Sequence, residues 1–211
     1  MNAVIWVVVG WAMLSIATPA TAAGQEQARA GAQVVLTMCT ACHGVKYVQY
    51  GDLAALTLSA DEIDALRGER SLRDTIQSLT SDGDAQLAYG MVPPDLSLIV
   101  AARDGGGGFL RDYLMGYYLD EFGQIQNRVY PGTRMPDIFG ISAVDDPAYR
   151  ADIERSVDEV IAFLEWTADP NKRKREAVGY VALGYLVLLT AMLYLAKRRV
   201  WAGLKRLAPR S

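Results

Sequence analysis

Both cysteines and the single histidine of this 211-residue chain fall within five consecutive residues, Cys39-Thr40-Ala41-Cys42-His43. No other feature limits the possible folds as strongly. The C-x-x-C-H spacing attaches a c-type haem. Two thiols one helical turn apart can each add to a vinyl group of one porphyrin, and the adjacent histidine then falls under the ring and ligates the iron. The other uses of such residues fare worse. A structural zinc site wants four Cys/His ligands, and this chain has three in total. A thioredoxin-like pair would sit near a βαβ pattern, which the sequence does not offer. A simple disulfide in an exported protein is the remaining alternative, and it gives His43 no role.

A second iron ligand follows by elimination. With no further histidine and both cysteines used, the choices are methionine, lysine or an open position. Of seven methionines, Met1 and Met13 lie in an N-terminal apolar run and Met192 in a C-terminal one. Met38 adjoins Cys39 and is too close to reach the opposite haem face. Met91, Met115 and Met135 remain. Met115 lies among apolar neighbours in a helical stretch, where core packing is its expected role. Met91 and Met135 both precede prolines; Met135, far along the chain in a Gly/Pro-rich loop, is favoured. His/Met ligation raises the reduction potential and fills every iron position, which suits electron transfer rather than oxygen activation.

The apolar residues gather at the two ends. Ala3 to Ala17, followed by Thr18-Pro19-Ala20-Thr21-Ala22-Ala23, reads as a secretory signal over residues 1–23 with cleavage near Ala22 or Ala23. No Lys or Arg precedes it, so a retained N-terminal transmembrane helix is the alternative. Ala177 to Ala196 carries no charge; its 20 residues span about 30 Å as a helix, the thickness of a hydrocarbon core. Basic clusters bracket it, Lys172-Arg173-Lys174-Arg175 before and Lys197-Arg198-Arg199 after. The expected organisation is therefore a haem domain over 24–171 and a membrane anchor with a basic tail over 172–211. Export by the signal and the basic excess beyond the run both put the haem domain outside and the tail in the cytoplasm.

Charge divides in the same place. Residues 1–171 hold 11 Lys/Arg against 23 Asp/Glu, while 172–211 hold 10 against one, Glu176. An acidic body repels nucleic acid and attracts a positively charged protein. Local patterns predict mostly helix. Gln25 to Cys39 puts Ala28, Ala32, Val35 and Leu36 on one side. Ser59 with Glu62 three residues on has capping-box spacing and starts a helix over 59–66. Asp104 and four glycines read as a loop, Phe109 to Leu119 as helix, and Glu121 to Pro147 as mostly loop. Over 152–168, Val157, Val160, Ile161, Leu164 and Ala168 form one stripe of an amphipathic helix, ended by Pro170.

These residues resemble the cytochrome c1 family, the haem subunit of the cytochrome bc1 (ubiquinol–cytochrome c oxidoreductase) complex, over most of 31–210. The resemblance is carried by Cys39 to His43 with Tyr47-Val48-x-Tyr50, by Met91-Val-Pro-Pro-Asp-Leu-Ser97 continuing to Ala101-Ala-Arg103-Asp-Gly-Gly106, and by Asn127-Arg-Val-Tyr-Pro-Gly132 with Met135. Phe163-Leu-Glu-Trp166 and Lys197-Arg-Arg-Val-Trp201 add to it. It implies that Cys39, Cys42 and His43 hold one covalent haem c, that His43 and Met135 ligate the iron, that Arg103 pairs with a propionate, and that Pro93 and Pro94 line the pocket. The implied fold is an all-α, class I cytochrome c-like domain whose first and last helices cross at Gly31 against Phe163, with one C-terminal transmembrane helix. The implied role is that of an electron-transfer subunit with no substrate chemistry of its own, on the periplasmic side of a bacterial inner membrane. Its partners would be cytochrome b, a Rieske iron–sulfur protein as donor, and a soluble or tethered cytochrome c as acceptor. A free-standing tethered cytochrome c feeding a terminal oxidase is the alternative. Three departures stand out. The stretch between the haem motif and Pro93 is short, only Thr133 and Arg134 separate Gly132 from Met135, and Phe109 replaces a tyrosine common in relatives.

Overall fold

The computed structural model describes residues 19–207. The apolar run Ala3 to Ala17 of the expected signal lies outside them. Up to Ala168 the chain forms one compact unit. Its elements are helix α1 (Pro19–Met38), strand β1 (Val45–Gln49), helix α2 (Ala60–Arg67), strand β2 (Thr75–Ile76) and helix α3 (Asp82–Tyr89). A single turn α4 (Ile99–Ala102), helix α5 (Gly106–Met115), strands β3 (Tyr117–Leu119) and β4 (Ile125–Asn127), and helix α6 (Pro147–Ala168) follow. Short 3-10 segments cover Cys39–Ala41, Tyr50–Leu56 and Ile141–Ala143.

The packing of α1 on α6 organises the core. On α1, Ala28, Ala32 and Val35 are buried; on α6, Val157, Val160, Phe163 and Leu164 are buried, joined by Ile153 and Thr167. Ile161 and Ala168 of the expected stripe are only partly buried. Gly31 is where the two helices meet, because a Cβ there would overlap the Glu159 carbonyl and come within 3.0 Å of the Phe163 Cβ. Phe163 is fully buried, a change from water worth about 2–3 kcal/mol, and its ring stacks on Trp166 at 5.8 Å. At the edge of α1, Arg29 reaches Glu62 on α2 at 2.5 Å. Glu62 also closes the expected capping box: it accepts from the Ser59 N–H while the Ser59 hydroxyl accepts from the Glu62 N–H.

Three expectations need correction. The fold is mostly helical but not purely all-α, since it includes two small antiparallel sheets, β1 with β2 and β3 with β4. The helix expected to run to Leu119 stops at Met115, and Tyr117, Tyr118 and Leu119 pair with Asn127, Gln126 and Ile125. Aromatic residues favour a strand. The Asp120 carboxylate closes the turn by accepting from the Phe122 and Gln124 N–H groups. At the other end, α5 begins inside the run of glycines expected to be loop. A Cβ on Gly107 would lie 2.8 Å from both the Ile161 Cγ2 and the Glu165 Oε1, so close approach to α6 outweighs glycine's poor intrinsic helicity. Arg111 on α5 reinforces this contact through its ion pair with Asp158.

The second unit begins at Asp169 and consists of one helix, α7 (Lys172–Leu207). Within it Lys174–Gly203 has a mean hydropathy of 2.0 and none of it is buried in protein. It is long and apolar enough for a single membrane crossing, and it contains the uncharged run 177–196.

Substituting Gly31 with valine should destabilise the folded domain by about 1–3 kcal/mol, the usual cost of overpacking. Gly108→Ala, on α5 with nothing within 4 Å of the added carbon, should leave stability unchanged or slightly raised. Thermal unfolding of the detergent-solubilised chain, followed by circular dichroism, distinguishes the two.

Candidate haem site

The cysteine motif sits on the turn directly after α1. The Cys39 carbonyl accepts from the Cys42 N–H at 3.1 Å and the His43 N–H at 2.8 Å, so one closed turn carries both thiols and the imidazole. Its outer side is pinned as well. Thr40 donates to the Leu36 carbonyl at 2.7 Å, the Leu79 N–H donates to the Thr40 carbonyl at 2.8 Å, and the Thr80 hydroxyl donates to the Ala41 carbonyl at 2.7 Å. Both cysteines are unpaired. Burial, with Cys42 alongside, pushes the Cys39 thiol up to about 11. It is therefore a protonated thiol at neutral pH, unlike the depressed thiol of a redox or nucleophilic cysteine.

His43 Nδ1 lies 2.7 Å from the Pro94 carbonyl. A carbonyl only accepts, so this contact puts the proton on Nδ1 and leaves the Nε2 lone pair for a metal, the usual way an imidazole ligand is fixed. Burial pulls His43 below its ordinary value, against the opposing pull of the Pro94 hydrogen bond and the Asp95 charge.

Asp95, which sequence reasoning passed over, holds the Pro94 segment in place. Its carboxylate accepts from the Lys46 N–H on one oxygen and the Ser97 N–H on the other, each at 3.0 Å. The Leu96 N–H donates to the Gly44 carbonyl at 2.8 Å. Buried Ser97 accepts from the Tyr47 N–H at 3.1 Å, and its carbonyl takes the Thr167 hydroxyl of α6 at 3.1 Å. Residues 94–97 are thus stitched to 44–47 and to the core.

The expected site residues fall in three places. Pro94 and Arg103 line one cavity of about 370 Å³, with Tyr47, Asp95, Leu98 and Ile99. Pro93 and Cys42 line a smaller one of about 70 Å³. Met135 lines neither; it is partly buried on the loop after Gly132 and packs against the core. Tyr89, the last residue of α3, joins that loop to the motif. Its carbonyl accepts from Arg134 at 3.0 Å, and its hydroxyl lies 3.7 Å from the Cys42 sulfur. Nothing in the sequence marks Tyr89, which is 47 positions from Cys42 on a helix whose only buried residue is Ala85. Of the other methionines, Met91 is exposed and Met115 packs against the core from α5.

These residues suit a haem. Tyr47 and Leu98 at the larger cavity and Met91 and Val92 nearby are exposed apolar side chains, a surface that a large flat apolar group would cover. Arg103 has no ion-pair partner among the described residues, leaving a guanidinium for a carboxylate at the cavity wall. Among the described residues no three His, Cys, Asp or Glu side chains gather into another metal site.

A closed C-x-x-C-H turn with its histidine oriented by a backbone carbonyl fits the spacing that attaches a c-type haem. The chain matches the Cytochrome C1 family over residues 14–204 and belongs to that family. It is similar to the cytochrome c1 of Rhodospirillum rubrum, at 28% identity covering 86% of this chain and 83% of the relative. It is also similar to that of Allochromatium vinosum, at 29% identity covering 84% of each. The mitochondrial cytochrome c1 haem protein of Neurospora crassa is 31% identical over 84% of this chain and 62% of the relative. Membership carries a general electron-transfer role, with haem c as the family's cofactor.

Replacing Asp95 with alanine removes the acceptor for two backbone donors. It should lower stability by about 1–3 kcal/mol, read as a fall in the unfolding midpoint. Asp95→Asn, which keeps one oxygen, should lose less.

Proposed function

We propose that this chain is the haem-bearing, electron-transfer subunit of a ubiquinol–cytochrome c reductase. When bound, haem c would supply one-electron redox chemistry, taking an electron from a Rieske iron–sulfur protein and yielding it to a soluble or tethered cytochrome c. Cys39 and Cys42 would hold it by thioether bonds. His43, oriented by the Pro94 carbonyl, and Met135 would ligate the iron. Arg103 would neutralise a propionate, while Pro93 and Pro94 close the pocket wall. The chain needs no acid or base of its own for this role and acts within the complex as a carrier rather than a catalyst.

The observation that carries the reading is the His43–Pro94 contact beside the Arg103-lined cavity, in a chain of the cytochrome c1 family. The expected signal over 1–23 and the apolar helix α7 favour a topology with the haem domain on the periplasmic side of a bacterial inner membrane. Cytochrome b would be the membrane partner. The acidic body, 23 Asp/Glu against 11 Lys/Arg over residues 1–171, would speed encounter with a basic cytochrome c.

Purification from native membranes in mild detergent, with a reduced-minus-oxidised spectrum and a subunit census, tests the assignment. A c-type spectrum with cytochrome b and an iron–sulfur protein is expected. The same spectrum from a lone chain would favour a tethered carrier feeding an oxidase, and absence of covalent haem would exclude both. Electron transfer to a basic cytochrome c should slow as ionic strength rises from 10 to 150 mM, roughly the range over which the Debye length shrinks from 30 to 8 Å. An uncharged acceptor should show no such trend.

A further inference from the structure

Four hydrogen bonds form a closed circuit that begins and ends on the peptide groups of Met135. The Met135 N–H donates to the Thr133 hydroxyl at 3.3 Å. The Thr133 hydroxyl lies 2.6 Å from the Tyr113 hydroxyl, which lies 3.3 Å from that of Tyr117. The Tyr117 hydroxyl donates to the Met135 carbonyl at 2.9 Å. Three hydroxyls have three protons. The single Tyr117 proton has two acceptors in reach, the Met135 carbonyl and the Tyr113 hydroxyl, and the carbonyl is the closer. The three hydroxyls and the Met135 peptide groups thus form one connected network, in which bonds polarise one another.

The loop is held on its other sides too. Asn127 is buried; its amide donates to the Tyr113 carbonyl at 2.7 Å, and its oxygen accepts from the Val129 and Tyr130 N–H groups at 2.9 and 3.0 Å. Beyond Met135, Asp137 accepts from the Ile141 and Ser142 N–H groups. Tyr113 and Tyr117 are themselves fixed, in edge-to-face contact at 5.9 Å, with Phe109 stacked on Tyr113.

We infer that Thr133, Tyr113 and Tyr117 are positioning residues that clamp the Met135 backbone and so hold its thioether on the iron. The inference rests on the reading of Met135 as the second ligand. Only Thr133 and Arg134 separate Gly132 from Met135, and this short loop takes much of its support from α5 and β3. The clamp acts through the main chain of Met135, leaving the sulfur free to bind.

The test uses the haem-loaded full chain in detergent. The ferric protein is titrated to alkaline pH while its long-wavelength sulfur-to-iron charge-transfer band is followed. Thr133→Val keeps the shape and removes the hydroxyl at the start of the circuit; Tyr117→Phe removes the bond at its end. Each should move the midpoint for loss of the band down by about one pH unit, a tenfold weaker hold on the methionine, as expected for one buried hydrogen bond. Thr133→Ser should restore the midpoint. Ser59→Ala, which removes the N-cap of α2, should leave it unmoved even if melting temperature drops. A midpoint unchanged in both Thr133→Val and Tyr117→Phe would overturn the clamp while leaving Met135 as ligand. A band that survives Met135→Leu would overturn the ligand itself, and the clamp with it. Because Thr133→Val is nearly isosteric and lies on a loop, it keeps the test open should Tyr117→Phe fail to fold.

Discussion

A missing side chain at Gly31 lets α1 lie directly on the Glu159 carbonyl of α6, and the rest of the haem domain depends on that closeness. The crossing buries Phe163 and fixes the direction in which α1 ends. The cysteine turn is the next thing in the chain, closed on the Cys39 carbonyl and pinned through Thr40 to the last turn of α1. Moving the helices apart by the width of a methyl group would carry the turn with them. The same need for close approach recurs where Gly107 meets Ile161 and Glu165, so glycine settles two of the contacts made by α6.

The site is assembled from segments distant in sequence, and polar bonds do most of the joining. Asp95 and Ser97 bind the backbone of 44–47, and Thr167 ties Ser97 to α6. His43 therefore finds the Pro94 carbonyl in a place set by the core rather than by a free loop. On the other side, Arg134 reaches across to the carbonyl of Tyr89, whose hydroxyl meets Cys42. Few of these bonds contribute much net stability individually, but together they leave the turn little freedom.

Much of this was legible in the sequence, and the failures have physical causes. The Ser59–Glu62 capping box and the apolar run of α7 are local or periodic signals, the Gly31–Phe163 crossing was implied by the family resemblance, and the structure contains all three; the five-residue motif folds as one closed turn. The β3–β4 hairpin was hidden because Tyr117 to Leu119 continue an apolar helical pattern; only the Asp120 turn, which needs its partner strand, decides between the two. The start of α5 was hidden because glycine's local preference opposes a helix and only contact with α6 reverses it. Tyr89, Asp95, Thr133 and the paired tyrosines act through single polar atoms on partners far along the chain, and such bonds leave no periodicity. The placement of Met135 on a constrained loop could be read; what constrains that loop could not.

The circuit of hydroxyls around Met135 also bears on what happens when charge arrives nearby. In water, dipoles turn to meet a new charge, and that turning is a cost paid at every transfer. A hydroxyl held among partly buried hydrogen-bond partners cannot turn freely without breaking a bond. On the proposed reading of Met135, Thr133, Tyr113 and Tyr117 would act as dipoles oriented during folding rather than during the reaction, presenting nearly the same field before and after an electron passes.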